Sequence, residues 1–294
     1  MVTVAQSLLT QAHCVLFDFD GPLCRLFPAD SSRPLADELR CLVADFGFLR
    51  LLREEERTSK DPHMVLRAIH RARWEADLDA FGAKDDDLAA LLERLEQCLT
   101  AGEAAAALKA EPPTSDTDAF VRSLAERGLC LAVVTNNSPH VAESYLRAHG
   151  LYQYFKKAVH GRTDDPGLMK PHPDVLQRAL RDLDLRPENA VMIGDTDTDL
   201  LAAERAGVRF IGYDTAPLAR ARLRHAGAKV VLGAYAPLLG EARRRIGAVA
   251  MAIALLPLPT ISGGLLDAAG TGSPVALWTM CSTRRSRSMT TAPI

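Results

Sequence analysis

No two cysteines in this sequence are spaced Cys-x-x-Cys, and no His/Cys cluster has metal-ligand spacing. The six present, Cys14, Cys24, Cys41, Cys98, Cys130 and Cys281, are irregularly spread. That argues against a disulfide framework and fits reduced thiols, so a cytoplasmic protein is expected. Lysine is scarce: there are seven, and arginine supplies most of the positive charge. With a net charge of −2, neither a nucleic-acid surface nor a polybasic membrane patch is expected. Residues 1–13 hold no basic stretch followed by a long apolar core, so no signal peptide or spanning helix is expected there. The apolar run at 248–258 contains Pro257 and is too short to cross a bilayer. What remains is ordinary for a globular protein: 294 residues, 48% of them hydrophobic, enough for one large domain or two smaller ones.

What is present starts at Val15. The run Val15-Leu16-Phe17 reads as a buried strand, and Asp18-Phe19-Asp20-Gly21-Pro22 follows at once. Residues two apart in a strand point to the same side, so Asp18 and Asp20 face together whatever lies beyond its end. Gly21 and Pro22 break the strand and place the pair at an edge. Two carboxylates this close raise one pKa or require a cation.

From about residue 25 to 113 the pattern is helical, with no convincing strand. Leu35, Leu39, Leu42, Val43 and Phe46 repeat at helical spacing. Asp61 can cap a second helix that has Pro62 in its first turn and ends near Gly82. A third is expected from Asp85 through Leu88, Leu91, Leu92, Leu95 and Leu99 to Gly102, with Asp85, Asp86 and Asp87 complementing its dipole. Pro112-Pro113 mark a boundary. Beyond it, strands at 129–134, 158–160, 190–193, 208–212 and 229–232 alternate with helices at 117–127, 139–149, 171–183 and 199–206. This alternation predicts an α/β fold. Residues 1–24 and 114–246 form a Rossmann-like core, a parallel sheet covered by helices on both faces. Residues 25–113 are an all-helical cap inserted into it. Residues 247–294, rich in Gly, Thr, Ser and Pro, are expected to be a disordered tail.

Three more stretches join the first. Val134-Thr135-Asn136-Asn137-Ser138 puts a hydroxyl and backbone N–H groups at a strand end before a helix, which suits a phosphate oxygen. In Met169-Lys170-Pro171-His172-Pro173, two prolines fix the backbone around one of the few lysines. Ile193-Gly194-Asp195-Thr196-Asp197-Thr198-Asp199 runs another apolar strand into acids. Asp195 and Asp199 converge on one cation, or Asp199 holds Lys170. In an open parallel sheet ligands bind at the carboxyl ends of strands, where Asp18, Asp20, Thr135 and Asp195 all fall. Carboxylates with few other ligand types favour Mg²⁺ over zinc.

The order D-x-D-G, T-N, K-P-x-P, G-D-x-x-x-D resembles the haloacid dehalogenase-like (HAD) hydrolase superfamily over residues 15–232. It is most similar to the phosphoglycolate phosphatase and β-phosphoglucomutase-like group, which carries a helical cap after the first motif. Pro22 stands where that family usually has Thr. The resemblance implies a phosphatase in which Asp18 is the nucleophile and forms an aspartyl-phosphate. Asp20 would be the general acid and base and would bind Mg²⁺ through its carbonyl. Thr135 and Asn136 would hold the phosphoryl group, and Lys170 would balance its charge. Asp195 would bind Mg²⁺ with Asp18, and Asp199 would support them. The substrate would be a small phosphorylated metabolite, with no nucleic acid or membrane partner and the oligomeric state open. Arg25, Arg33, His63, Arg67, His70, Arg71 and Trp74 are the cap-side candidates for selecting it. A phosphomutase would use the same residues. A non-catalytic regulatory protein of this fold is a third reading, against which the full set of motif residues argues. A haloalkanoate dehalogenase would give Asp20 and the Mg²⁺ carboxylates no role, and a receiver domain would lack the cap.

Overall fold

A computed structural model describes residues 2–28, 31–75, 84–155 and 158–239. Six strands form one sheet: β1 (Cys14–Phe17), β2 (Cys130–Val134), β3 (Val159–His160), β4 (Ala190–Gly194), β5 (Arg209–Tyr213) and β6 (Val231–Leu232). Their order is β3-β2-β1-β4-β5-β6 and every neighbouring pair is parallel. The order reverses between β1 and β4, so a crevice opens beyond the carboxyl ends of those two strands. β1 is buried on both faces, as its unbroken apolar run requires. Val15 and Phe17 pack on one side with Phe120, Leu124 and Tyr145. Cys14 and Leu16 pack on the other with Val175, Leu176, Ala202 and Ala203.

Helix α1 (Val2–Thr10) precedes the sheet. The insertion after β1 contains α2 (Arg33–Asp45), the short α3 (Glu54–Thr58), α4 (Pro62–Glu75) and α5 (Asp85–Ala107), with no strand among its described residues. It has a core of its own, in which Leu35, Leu39 and Val43 of α2 meet Val65 and Ile69 of α4 and Leu88, Leu91, Leu95 and Leu99 of α5. The chain then returns to the sheet through α6 (Thr117–Glu126), α7 (Pro139–Ala148), α8 (Tyr152–Phe155), α9 (Asp174–Asp182), α10 (Asp197–Ala206) and α11 (Pro217–His225). The fold is therefore α/β, with a Rossmann-like core and a helical cap. No helix among the described residues is long and apolar enough to cross a membrane.

Two local expectations hold in detail. Asp61 Oδ1 accepts the His63 N–H at 2.9 Å and starts α4. Asp87 accepts the Lys84 N–H at 3.1 Å and starts α5. Gly102 does not end α5, which runs through it to Ala107. A Cβ at that position would lie 2.5 Å from Leu35 Cδ1, so this glycine lets α2 and α5 approach instead. α9 begins at Asp174 and α10 at Asp197, each offset from its expected start. α1, α3, α8 and α11 were not expected. Among them α11 buries only Leu223, so it has no apolar stripe to read. The helix end near Gly82 and the tail at 247–294 lie outside the described residues.

The turn after β1 is locked from the far end of the domain. The Tyr235 hydroxyl donates to Pro22 O at 3.0 Å. Its ring is stacked between Phe120 and Tyr213, with centroids 4.2 Å from each.

Candidate active site

Asp18 follows β1, Thr135 follows β2 and Asp195 follows β4, so three strand ends converge. Lys170 enters from the loop before α9 and is 2% exposed. Its Nζ donates to Asp18 Oδ1 at 2.7 Å, to Asp199 Oδ1 at 2.6 Å and to Val134 O at 3.0 Å. That engages all three donors of an ammonium group. Asp199, in the first turn of α10, is held by a capping box. Its Oδ2 accepts the N–H of Asp195 at 3.1 Å, the N–H of Thr196 at 3.0 Å and the Thr196 hydroxyl at 2.7 Å. Of the two roles open to it, Asp199 visibly performs one, which is to hold Lys170.

Asp195 is different, because its Oδ1 is buried and has no hydrogen-bond donor. Asp18, Asp195 and Asp199 each offer an oxygen within 4.8 Å of the others. Three carboxylates therefore crowd round one ammonium that bonds only two of them, and the cluster is short of positive charge. Burial pushes Asp18 up to about 7, against the opposing pull of Lys170 and with a further push from Asp199. Burial, then the neighbouring Asp199, Asp18 and Asp20, holds Asp195 well above the usual carboxylate range. Burial works against the Lys170 ammonium, but Asp18 and Asp199 outweigh it and raise its pKa. A donorless buried oxygen in an all-carboxylate cluster suits a hard divalent cation.

Asp20 is held from the cap side. Its Oδ1 accepts the N–H of Leu26 at 2.8 Å and that of Phe27 at 3.4 Å, both on the segment leading into the cap. Burial pushes it up to about 6 in spite of those two donors. Gly21 between Asp20 and Pro22 has φ +108°, and a Cβ there would fall 2.4 Å from Asp195 Cγ. No side chain fits without moving the carboxyl. Gly21→Ala is expected to cost about 1–3 kcal/mol of stability, the usual range for forced backbone strain. Urea unfolding measures it, and an unchanged midpoint would mean that the turn relaxes freely.

Thr135 is buried. Its hydroxyl donates to Asn137 Oδ1 at 2.9 Å and accepts the Asn137 N–H at 3.1 Å. The Asn136 side chain is engaged at both ends with the backbone of Lys170. It accepts the N–H at 2.8 Å and donates to the carbonyl at 3.2 Å. Asn136 thus ties the loop after β2 to the loop that carries Lys170.

These groups line a cavity of about 320 Å³, with Phe27, Ser32, Lys60 and His63 on the cap side. Of the cap candidates, His63 lines it and Arg67 reaches Lys170 O at 3.3 Å. Arg25 donates to Thr215 Oγ1 at 3.1 Å, beside an adjoining cavity of about 420 Å³. His70 pairs with Asp165 at 3.0 Å and Arg71 with Glu56 at 3.0 Å, while Arg33 and Trp74 are exposed, so these four do not join the site. Phe27, Ser32, Lys60 and Asn137 line the cavity without having been singled out in the sequence. Glu103 and Arg162 stand just behind it, and these too had not been singled out.

The chain has relatives. Residues 12–207 match the profile of the haloacid dehalogenase-like hydrolases. Among curated proteins, pyrophosphatase PpaX of Bacillus cereus (strain G9842) is 36% identical over 89 residues, which are 30% of this chain and 40% of that protein. PpaX of Bacillus mycoides (strain KBAB4) is 33% identical over 103 residues, 35% of this chain and 47% of that protein. The chain spans less than half the length of these relatives. A predicted phosphatase from Clostridium acetobutylicum superposes with a TM-score of 0.51 at 18% identity, over 79% of this chain and 99% of that one. A predicted phosphoglycolate phosphatase from Haemophilus somnus 129pt gives 0.50 at 20% identity, over 78% of this chain and 97% of that one. At such identities the two structures establish the fold alone. The profile, however, covers the segment from the residues before β1 to the end of α10, and with it Asp18, Asp20, Thr135, Lys170 and Asp195, so the chain belongs to the haloacid dehalogenase-like hydrolase family.

Proposed function

We propose that the chain is a Mg²⁺-dependent phosphatase that hydrolyses a small phosphorylated metabolite through a covalent intermediate on Asp18. One observation carries this reading. The buried Asp18 carboxylate has the Lys170 ammonium at 2.7 Å and lies within 4.8 Å of the Asp195 carboxyl, whose Oδ1 has no donor, with Asp20 two residues away and raised to about 6. The name of the PpaX relatives supports phosphoryl chemistry, and the small cavity, lined mostly by charged and polar residues, suits a small ester.

Asp18 attacks phosphorus and forms an acyl phosphate. Asp20, protonated in a useful fraction near neutral pH, gives its proton to the departing alcohol oxygen. It then takes a proton from the water that attacks the same phosphorus, which returns Asp18 and releases inorganic phosphate. Asn136 would hold the transferring group through its backbone, and Thr135 through its hydroxyl once this turns from Asn137 Oδ1 to the phosphoryl oxygen, while Lys170 offsets the charge. Asp18, Asp195 and the carbonyl of Asp20 would hold Mg²⁺, with Asp199 fixing Lys170 and the turn beside them. Bound there, Mg²⁺ supplies the positive charge that lets a carboxylate approach a phosphate dianion.

Inorganic phosphate released from a panel of phosphomonoesters tests the reading. Release is expected with Mg²⁺, is lost on chelation and returns when Mg²⁺ is restored. No release from any ester, or equal release without the ion, would overturn it.

A further inference from the structure

One buried carboxylate joins the cap to the loop that follows β2. Glu103, in the last turns of α5, is 0% exposed. Four partners converge on it. Arg162 Nη1 donates to its two oxygens at 2.7 and 2.8 Å, Asn137 Nδ2 at 2.9 Å and the Ser138 N–H at 2.9 Å. His63 Nε2 lies 3.1 Å away. His63 comes from α4 of the cap and lines the cavity, whereas Asn137, Ser138 and Arg162 belong to core loops. Burial would raise the carboxyl, but His63 and Arg162 outweigh it and hold Glu103 down to about 2, so it stays ionised.

An ionised carboxylate only accepts. Asn137 must therefore present its Nδ2 to Glu103, and its Oδ1 is then turned to the Thr135 hydroxyl. Thr135 in turn lines the cavity. Arg162 is itself fixed by Glu96 at 2.8 Å and by the Thr100 hydroxyl at 2.6 Å, both on α5. The cap thus reaches Thr135 through Glu103 and Asn137.

We propose that Glu103 is a positioning residue for phosphoryl binding: its carboxylate, carried on the cap, sets the geometry of residues 135–138. This rests on the reading that the cavity takes a phosphoryl group.

The test compares Glu103→Gln with Glu96→Gln, which weakens a contact of the same Arg162 without touching the loop. Inorganic phosphate serves as the probe. Glu103→Gln is expected to lower kcat/KM by about 10²-fold, the usual cost of a small misplacement, chiefly as a rise in KM and in the phosphate inhibition constant. Glu96→Gln leaves both near wild type. In Glu103→Gln/Asn137→Ala the two losses do not add, since the residues act in series. Backbone hydrogen exchange over residues 133–140 rises in Glu103→Gln and not in Glu96→Gln. Exchange needs no turnover, so it decides the Glu103 link even if the wild type releases no phosphate, a result that would sink the proposed function instead. A purely structural role predicts a smaller active fraction with unchanged KM, inhibition constant and loop exchange, and that result overturns the proposal. If Glu103→Gln does not fold, Glu103→Asp, which keeps the charge but shortens its reach to Asn137 and Ser138, carries the same expectations.

Discussion

Asp18→Asn abolishes phosphate release from every ester, whereas Asp20→Asn preserves the first half of the reaction and traps its product. Asparagine at 18 keeps the shape and gives up both the nucleophile and one of the carboxylates around Lys170. Asn136 and Thr135 have their side chains engaged with neighbouring protein groups, and Asp199 is committed to Lys170 and the β4–α10 turn. None of them is placed to replace Asp18. At position 20 the change removes the proton donor alone, and general acid–base help is worth about 10² to 10⁴ in rate. A nitrophenyl ester needs less protonation of its leaving group than an alkyl phosphate, so its first step suffers less. Breakdown still needs a base to activate water, so phosphorylated Asp18 accumulates. Mass spectrometry of acid-quenched Asp20→Asn, incubated with substrate and Mg²⁺, should find the added phosphoryl group on the peptide containing Asp18. Turnover surviving Asp18→Asn, or an adduct on another residue, would refute the mechanism.

What could be read in the chain divides by the range of the interaction. β1 was legible because a strand buried on both faces must be continuously apolar, and the Asp-Gly-Pro break ends it. Helices α2, α4 and α5 of the cap were legible because each buries one stripe at helical spacing against the others, whereas α3 buries only Glu56 and offers none. Glu103 shows where this reading fails. Leu88, Leu91, Leu95 and Leu99 form the buried stripe of α5, and Glu103 is the next position on it. A charge on an apolar stripe beside a glycine reads as a helix end. Here the helix continues, and the charge marks a buried junction. Its core partners Asn137, Ser138 and Arg162 lie 34, 35 and 59 residues away, so no local pattern announces them.

The cap candidates divided for a related reason. Helical spacing shows which residues share a face, but the tilt of α4 against the core decides which of them reach the cavity. His63 does so, whereas His70, two turns on, meets Asp165 instead. The choice left open for Asp199, cation or Lys170, likewise depended on the capping box at the start of α10, which fixes where its oxygens point.

Lys170→Met is expected to remove most of the activity and to weaken the fold in a pH-dependent way. The ammonium is the one side-chain cation in contact with Asp18 among the described residues, and loss of such an electrostatic partner costs about 10²–10³ in kcat. Breaking a buried ion pair by removing one member costs about 3–5 kcal/mol, because the remaining charges lose compensation. Here Asp18 and Asp199 both lose it. The pH dependence follows from Asp18, which burial raises from 3.8 to about 7 in the folded chain while Lys170 opposes the rise. A raised carboxyl means that the folded state binds the proton more tightly than the unfolded one, so stability falls as pH climbs from about 4 to 7. Without Lys170 the carboxyl rises further and that fall steepens. The Lys170 ammonium is itself raised, so its contribution is present throughout the neutral range and is lost only far above it. In chelator, the stability difference between wild type and Lys170→Met should therefore be smaller near pH 4, where a protonated Asp18 needs no partner, and should grow towards pH 8. Urea midpoints across that range measure it. A difference that is flat or shrinks with pH, or a methionine variant that keeps wild-type turnover in saturating Mg²⁺, would show that Lys170 does not carry the charge balance of this site.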